Sequence, residues 1–278
     1  MKRTLFLLLL LLLLRASLLS AQGYREYVRA AMDALQQDSL HRAETLLRSA
    51  LKADPATKAN AILFQYLGQI QERQGRDSKA LESYGMGLNI SPTAMELLLN
   101  RASLHMRLRN EERALADYSA VLELDPNHTE ALFFRAYILA QQRNYRQARA
   151  DYERLLQLQP SNEKAQLGLI LLNEKDGRPR EARERLDALI ALHPQRAQLY
   201  LLRAGMEQEG KQYEMAEKDF HRAIELEPQN PELYAARGAF FQEIRKRKRA
   251  KADFRKAAEL TRTPSAMPRE GEIDKLTN

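Results

Sequence analysis

Apolar residues recur along the chain with the spacing of one helix face, and this pattern itself repeats every 34 residues. Six alanines keep that spacing: Ala80, Ala114, Ala148, Ala182, Ala216 and Ala250. Five prolines keep it too, each 12 residues after an alanine: Pro92, Pro126, Pro160, Pro194 and Pro228. Each repeat therefore predicts two amphipathic helices. The proline ends the second helix because it lacks a backbone donor and clashes with the preceding turn.

Seven repeats account for nearly all of the chain after its first residues. Their boundaries, numbered repeats 1 to 7, are 24–57, 61–94, 95–128, 129–162, 163–196, 197–230 and 231–262. In repeat 4 the first helix is expected over 130–142 and the second from about Gln147 to Leu158, with Asn144 and Tyr145 in the turn. Residues 263–278 contain turn formers and little apolar periodicity, so they are predicted to form a mobile C-terminal tail.

Three positions of the repeat suggest how neighbouring helices fit together. Position 20 is alanine throughout, and position 8 is Ala or Gly in six of the seven repeats. Position 24 is a large residue, such as Tyr84, Tyr118 or Phe220. Large side chains would thus fill the space that small ones leave. Repeat 5 departs from the pattern with Ile170 at position 8, so we expect it either to pack more loosely or to bend.

These features resemble the tetratricopeptide repeat (TPR) family. The resemblance rests on Leu67-Gly68, on Ala114 with Asp117 and Tyr118, and on the Asp125-Pro126 terminator. It implies an all-α fold, a right-handed α-solenoid of about seven helix-turn-helix (TPR) repeats. One helix pair of this kind cannot bury its apolar faces alone, but stacked neighbours can. The family resemblance also implies a protein that binds other proteins without catalysis.

Residues 1–21 are predicted to be a secretory signal peptide. Lys2 and Arg3 give a positive start, an apolar core follows over 5–14, and small residues end the segment at Ala21. A retained membrane anchor is the alternative, but a spanning helix needs about 20 apolar residues. The segment is similar to signal peptides of Gram-negative bacteria. The mature chain is therefore expected in the periplasm, or, as the alternative, signal-anchored in the inner membrane and facing the periplasm.

Composition and charge narrow the possible functions. The chain has no cysteine, which excludes disulfides, thiolate metal sites and cysteine nucleophiles. Its net charge is +7, and without the three basic residues of the first segment 41 basic residues face 37 acidic ones, or +4. Nucleic-acid-binding proteins concentrate their charge in one stripe, whereas here both signs are interleaved, so no nucleic-acid partner is expected.

No motif in the chain indicates catalysis. The five histidines occupy unrelated positions of the repeat, and no His-Glu-x-x-His motif is present. There is also no glycine-rich phosphate loop and no Gly-x-Ser-x-Gly elbow. The expectation is therefore a protein that is not an enzyme, with no catalytic or metal site, no cofactor and no small-molecule substrate. An enzyme with a concealed site is the less favoured alternative.

The family resemblance implies that the first helices line the concave groove of the solenoid, through positions 2, 5, 9, 12 and 13. A carboxylate clamp found in some relatives is absent, because its positions hold other residues. The aromatic pair Phe133 and Tyr137 lies one helical turn apart and either faces the groove or packs between helices. The candidate partner-binding residues are Gln65, Gln69, Arg73, Leu99, Met106, Arg107, Phe133, Tyr137 and Gln141.

A run of five basic residues is the most concentrated charge in the sequence. It comprises Arg245, Lys246, Arg247, Lys248 and Arg249 and is predicted to lie in the turn between the last two helices. Such a run can contact an anionic lipid or polymer. The alternative is a solvated turn whose charges repel one another.

Together these features predict a non-catalytic adaptor of the bacterial cell envelope that holds a segment of a partner protein in its concave groove. The alternative is a structural subunit of an envelope complex. Such a subunit would contact partners through its convex face, or membrane through the basic turn at 245–249.

Overall fold

The computed structural model describes residues 22–262, which form helices and no strand. The first helix, α1, is described over 22–36. It is followed by α2 (Leu40–Ala53), α3 (Asn60–Arg73), α4 (Asp77–Ile90), α5 (Met95–Arg107), α6 (Glu111–Leu124), α7 (Thr129–Gln141), α8 (Tyr145–Leu158), α9 (Glu163–Lys175), α10 (Pro179–Leu192), α11 (Ala197–Glu209), α12 (Tyr213–Leu226), α13 (Pro231–Glu243) and α14 (Arg247–Arg262). The predicted all-α fold is confirmed.

The predicted signal peptide (1–21) and tail (263–278) lie outside the described residues. The chain divides into two compact units, the first ending at Pro160 and the second beginning at Ser161. Described helices α1 to α8 belong to the first unit and α9 to α14 to the second. In both units the closest packing joins the two helices of one repeat, as with α3 and α4 or with α11 and α12.

The turn inside each repeat is made by one residue in the left-handed conformation. In repeat 3 this residue is Arg109, with φ of 60°, and the next N–H, from Asn110, donates to the carbonyl of His105 at 2.8 Å. This bond closes the end of the first helix and reverses the chain. The same position is left-handed in every repeat: Asp38, Gly75, Arg109, Arg143, Gly177, Lys211 and Arg245.

The predicted turn of repeat 4 was misplaced by about two residues. The left-handed residue is Arg143, and α8 begins at Tyr145 rather than near Gln147. The predicted helix start assumed that Asn144 and Tyr145 formed the turn. A single left-handed residue completes the reversal, so the second helix starts sooner.

The small and large positions of the repeat meet as the sequence predicted. A Cβ atom at Gly68 would overlap the ring of Tyr84, and one at Gly238 would lie 3.0 Å from the ring of Phe254. Repeat 5 departs from this pattern, because Ile170 at position 8 and Leu186 at position 24 are both large and both fully buried. An open cavity lined by Ile170 lies between α9 and α10, which agrees with the looser packing expected in this repeat.

Four repeats also contain an ion pair that the sequence analysis did not identify. An arginine at position 7 of the first helix donates two hydrogen bonds to a buried aspartate at position 23 of the second. The pairs are Arg101–Asp117, Arg135–Asp151, Arg203–Asp219 and Arg237–Asp253. The pairing was visible in the sequence as Arg and Asp 16 residues apart in 34-residue register.

Candidate protein-binding surface

The predicted groove residues of repeats 2 and 3 are partly occupied by contacts within the protein. Gln65 and Gln69 are half-buried on α3. Arg73 is exposed but pairs with Asp38. Arg107 donates to Asp77 at 2.8 Å and to Glu72 at 2.9 Å. The two arginines thus connect neighbouring repeats, and only their outer surfaces face solvent.

The apolar candidates of repeats 3 and 4 separate into packed and exposed residues. Leu99 is buried and Met106 is half-buried, so neither offers much contact area. Phe133 is half-buried, with its ring centroid 6.1 Å from that of Tyr152 in an edge contact. Tyr137 is 37% exposed. Of the aromatic pair, Phe133 therefore packs inside the unit, and Tyr137 faces solvent.

Gln141 is exposed at the end of α7. It is the last predicted groove residue of repeat 4 and makes the first helix of that repeat polar at its C-terminal end.

A cavity of about 460 Å³ lies beside the predicted groove residue Gln65, at the N-terminal ends of α3 and α5. Ile62 lines it and is 50% exposed, and Met95 and Leu97 contribute further apolar surface. Ile62 occupies position 2 of repeat 2, one of the positions that the family resemblance assigns to the groove. The first unit thus has an apolar recess on the face formed by its first helices.

The second unit has a comparable cavity that the sequence analysis missed, of about 360 Å³ between α9 and α11. It was missed because the groove positions were read only in repeats 2 to 4. Reading the same positions in repeats 5 and 6 would have found five of its residues. Its lining is Glu174, Gln198, Leu201, Leu202, Gly205, Met206 and Glu209. We refer to it as the α9–α11 cavity.

The α9–α11 cavity combines an apolar floor with two carboxylates. Leu201, Leu202 and Met206 supply the floor, and Glu174 and Glu209 stand on opposite helices. Burial, and secondly the negative charge of Glu209, raises the pKa of Glu174 above its ordinary value. A cationic group bound there would relieve this repulsion, so the cavity suits a segment with both apolar and basic side chains. Among residues 22–262 no group of three or more His, Cys, Asp or Glu side chains could hold a metal ion.

The basic run is placed differently from the prediction. Arg245 is the left-handed turn residue and Lys246 follows it, but Arg247, Lys248 and Arg249 form the first turn of α14. The prediction was wrong for these last three residues, because α14 starts two residues after the left-handed residue, as the second helices of the other repeats do.

Two residues of the basic run are engaged by the protein itself. Lys246 and Arg249 both bind Glu217, at 2.7 and 2.8 Å, and both lie over the ring of Phe241. Arg245, Arg247 and Lys248 are exposed. The surface available to an anion is therefore smaller than the sequence suggested.

Comparison with known proteins agrees with the repeat geometry. Three family models, each described as Tetratricopeptide repeat, match residues 28–93 with 99–163, residues 139–205 and residues 197–230. A tetratricopeptide repeat protein from Parabacteroides merdae has a solved structure that is 30% identical in sequence, with a TM-score of 0.67. The match covers 92% of this chain and 97% of that one. The chain belongs to the tetratricopeptide repeat family, a family of protein-binding modules that are typically non-catalytic.

More distant structures share the fold alone. Pseudomonas aeruginosa pilF is 19% identical over 82% of this chain and 98% of its own, with a TM-score of 0.55. MamA from Desulfovibrio magneticus RS-1 is 23% identical over 62% of this chain and 97% of its own, with a TM-score of 0.51. None of the curated proteins has a sequence that matches this one. Within the described helices, none is both long and apolar enough to cross a membrane.

Proposed function

We propose that this protein is a non-catalytic scaffold that binds a segment of a partner protein on the face formed by its first helices. The α9–α11 cavity is the observation that carries the proposal. It places the apolar side chain of Leu201 and two carboxylates at groove positions, with Leu202 and Met206 beside them. Leu201 and Met206 would accept apolar side chains of the partner, and Glu174 with Glu209 would pair with a basic one.

Two features of the first unit support a binding role for its own first helices. Tyr137 remains exposed, and aromatic side chains with a polar tip are frequent at protein interfaces. The recess beside Ile62 and Gln65 offers a second apolar contact. We propose that these residues, with the exposed parts of Arg73 and Arg107, form a binding surface of the first unit.

We further propose that the scaffold acts in the bacterial cell envelope. The support is the sequence of residues 1–21, which has the order of charge, apolar core and small residues found in export signals. The second candidate is a structural subunit that contacts an anionic surface. Its support is the exposed side chains of Arg245, Arg247 and Lys248, on a helix whose first turn has no acidic residue.

Two glycines provide a matched test of the binding face. Gly205 lines the α9–α11 cavity, Gly85 lies on the second helix α4, and an added Cβ at either one would meet nothing within 4 Å. An added side chain can therefore leave the backbone at both positions without a clash at its Cβ atom. Gly205→Arg would fill the cavity and pair with Glu174 and Glu209, whereas Gly85→Arg would only add a charge elsewhere.

The experiment captures partners from an extract of the host's own cells with the wild-type chain and the two variants, after chemical crosslinking. The proposal predicts that Gly205→Arg loses a partner that Gly85→Arg and the wild type both retain, with helical circular dichroism unchanged in all three. A partner held equally by both variants would move the binding site away from this cavity. A partner lost only when Arg245, Arg247 and Lys248 are replaced by glutamine would favour the second candidate.

A further inference from the structure

Repeat 5 lacks a large side chain that the other repeats share. Position 4 of the first helix is Tyr, Phe or Leu in six repeats: Tyr27, Phe64, Leu98, Leu132, Tyr200 and Tyr234. In repeat 5 this position is Gln166. A glutamine side chain covers less apolar surface than these side chains do, because it is narrower than a ring and carries a polar amide.

The neighbouring repeats show what the missing ring does. In repeat 6 Tyr200 packs against the apolar cluster that contains Ala223 of the second helix, and also against the cluster that contains Leu189 of repeat 5. Its hydroxyl donates to the carbonyl of Pro194 at 3.1 Å. The guanidinium groups of Arg203 and Arg222 lie 5.6 and 5.9 Å from the ring centroid. Tyr234 of repeat 7 makes the equivalent hydrogen bond and lies beside the equivalent arginine. The ring of Tyr200 thus covers apolar residues of its own repeat and of the repeat before it.

In repeat 5 an open cavity of about 150 Å³ lies between α9 and α10. Leu189 lines it and occupies the position that Ala223 holds in repeat 6. The surface of the cavity is mainly apolar, and Leu192 at its edge is 69% exposed. The complete lining is Gln166, Ile170, Arg185, Ala188, Leu189 and Leu192, and we refer to it as the repeat-5 cavity.

The charge beside the repeat-5 cavity is also reversed. Four repeats have Arg at position 7 and Asp at position 23, but repeat 5 has Leu169 and Arg185. Leu169 is fully buried, while Arg185 is exposed at the cavity. Among residues 22–262 no acidic side chain pairs with Arg185, in contrast to its neighbour Arg183, which donates to Glu207 at 2.6 Å. A cation is thus available next to an unfilled apolar space.

We propose that the repeat-5 cavity binds an aromatic side chain of a partner protein that has a carboxylate one residue away. The aromatic ring would take the place that Tyr200 and Tyr234 fill within their own repeats. The carboxylate would pair with Arg185, just as the aspartates of the other repeats pair with arginine. An aliphatic or cationic segment would leave one of these two features unsatisfied.

This site is separate from the binding face of the proposed function. The repeat-5 cavity uses positions 4, 8 and 23 of its repeat, whereas the α9–α11 cavity uses groove positions on first helices. A failure of one proposal therefore leaves the other standing. The variant Gly205→Arg is expected to bind an acidic aromatic peptide as the wild type does.

Three peptides test the inference with the full chain: acetyl-Glu-Phe-Glu-amide, acetyl-Glu-Ala-Glu-amide and acetyl-Lys-Phe-Lys-amide. Their affinities are measured by NMR titration against the wild type and the variants Gln166→Tyr, Arg185→Glu and Arg180→Glu. Gln166→Tyr fills the cavity from within, as in repeats 6 and 7. Arg180→Glu is the control, because Arg180 is on the same helix and almost fully exposed.

We expect the acidic phenylalanine peptide to bind with a dissociation constant of about 1 mM or lower, since small ligands contribute limited energy per atom. Replacing Phe by Ala or Glu by Lys in the peptide should weaken its binding roughly tenfold, because each change removes one matched contact. The protein variants Gln166→Tyr and Arg185→Glu should weaken the binding of the acidic phenylalanine peptide by the same factor. Arg180→Glu should change it less than about twofold, the effect of a remote surface charge.

Equal binding of the Phe and Ala peptides would overturn the proposal, and so would the absence of any binding at about 10 mM peptide, a concentration that detects very weak complexes. If Gln166→Tyr does not fold, Gln166→Leu reproduces repeats 3 and 4 and replaces it. A folded Gln166 variant that binds the peptide as well as the wild type would also overturn it. If the proposal is right, a Gln166 variant whose new side chain fills the cavity should have a higher thermal midpoint than the wild type and should no longer bind the peptide.

Discussion

Arg203 of α11 and Asp219 of α12 are joined by two hydrogen bonds, from Nε at 2.6 Å and from Nη2 at 2.8 Å. Arg203 also donates to Asp187 of the preceding repeat at 2.7 Å. The hydrogen bond to Asp219, and then the contact with Asp187, holds the pKa of the guanidinium above its ordinary value. One arginine thus joins the two helices of repeat 6 and connects that repeat to repeat 5.

Breaking this pair should destabilise the second unit. Asp219→Asn removes a charge that is 9% exposed and leaves Arg203 with only Asp187. We expect a loss of about 1–3 kcal/mol in unfolding free energy, between the values for exposed and buried pairs. Urea unfolding followed by circular dichroism measures it. Glu184→Gln is the control and should cost less than about 0.5 kcal/mol, because its pair with Arg180 is exposed.

Any side chain at Gly68 should destabilise the protein, because this helix glycine lies against the ring of Tyr84. Gly68→Ala places a Cβ atom into the tyrosine ring, so we expect a destabilisation of about 1–3 kcal/mol from overpacking. Gly85→Ala in α4 has open space and should instead stabilise by up to about 1 kcal/mol, the helix propensity of alanine over glycine. Parallel urea titrations are expected to show a lower unfolding free energy for Gly68→Ala and a higher one for Gly85→Ala. Destabilisation by both variants would contradict the size-matching account.

Replacing Phe133 should destabilise the protein more than replacing Tyr137, although the two residues lie one turn apart on α7. Phe133→Ala removes edge contacts with Phe134 and Tyr152, at centroid distances of 5.2 and 6.1 Å. Because Phe133 is half-buried, we expect a loss of about 2 kcal/mol, below that for a core phenylalanine. Tyr137→Ala should cost less, about 1 kcal/mol or below, because its side chain is 37% exposed. Equal losses in thermal unfolding would show that Tyr137 packs like Phe133.

The pH dependence of stability should differ in sign between two glutamates. The raised pKa of Glu174 means that its ionisation destabilises the fold. The protonated carboxyl group contributes to the stability of the fold. This contribution is fully present below the ordinary pKa of 4.5 and is lost as pH rises through the pKa of the folded state. Glu174→Gln should therefore be more stable than the wild type at pH 7, and this gain should vanish at acid pH.

Glu217 provides the opposite case. Burial favours its neutral form, but the hydrogen bond from Lys246 and the charge of Arg249 outweigh burial and lower its pKa. The ionised carboxylate of Glu217 contributes to stability above the ordinary pKa of 4.5, and this contribution is lost as pH falls through the pKa of the folded state. Glu217→Gln should thus be less stable than the wild type at pH 7. Thermal midpoints between pH 3 and pH 8 that move in the same direction for both variants would contradict these assignments.

The sequence was sufficient for the repeat fold because its signals are local and recur. Proline and alanine in 34-residue register placed the helices, and residues such as Gly68 and Tyr84 indicated which side chains meet. The prediction of the turn in repeat 4 was less accurate, because nothing in Arg143 itself marks a left-handed residue. Non-glycine residues adopt that conformation when the surrounding packing requires it.

The candidate surface was harder to predict because exposure depends on how repeats pack. Position alone placed Leu99 and Phe133 in the groove, yet Leu99 is buried and Phe133 packs on Tyr152. The α9–α11 cavity and the Arg–Asp pairs could have been found by comparing all seven repeats position by position. The orientation of Tyr137 relative to Phe133 required coordinates.

The central claim is that a partner segment lies on the first-helix face, and site-specific photo-crosslinking tests it most directly. A benzoylphenylalanine is introduced at Gly205 or, as the control, at Gly85, where open space surrounds both backbones. Each full-length chain is irradiated in an extract of the host's own cells, and adducts are identified by mass spectrometry. The account predicts a defined protein adduct from Gly205 that is absent from Gly85. An adduct of equal yield from both positions, or from Gly85 alone, would contradict it.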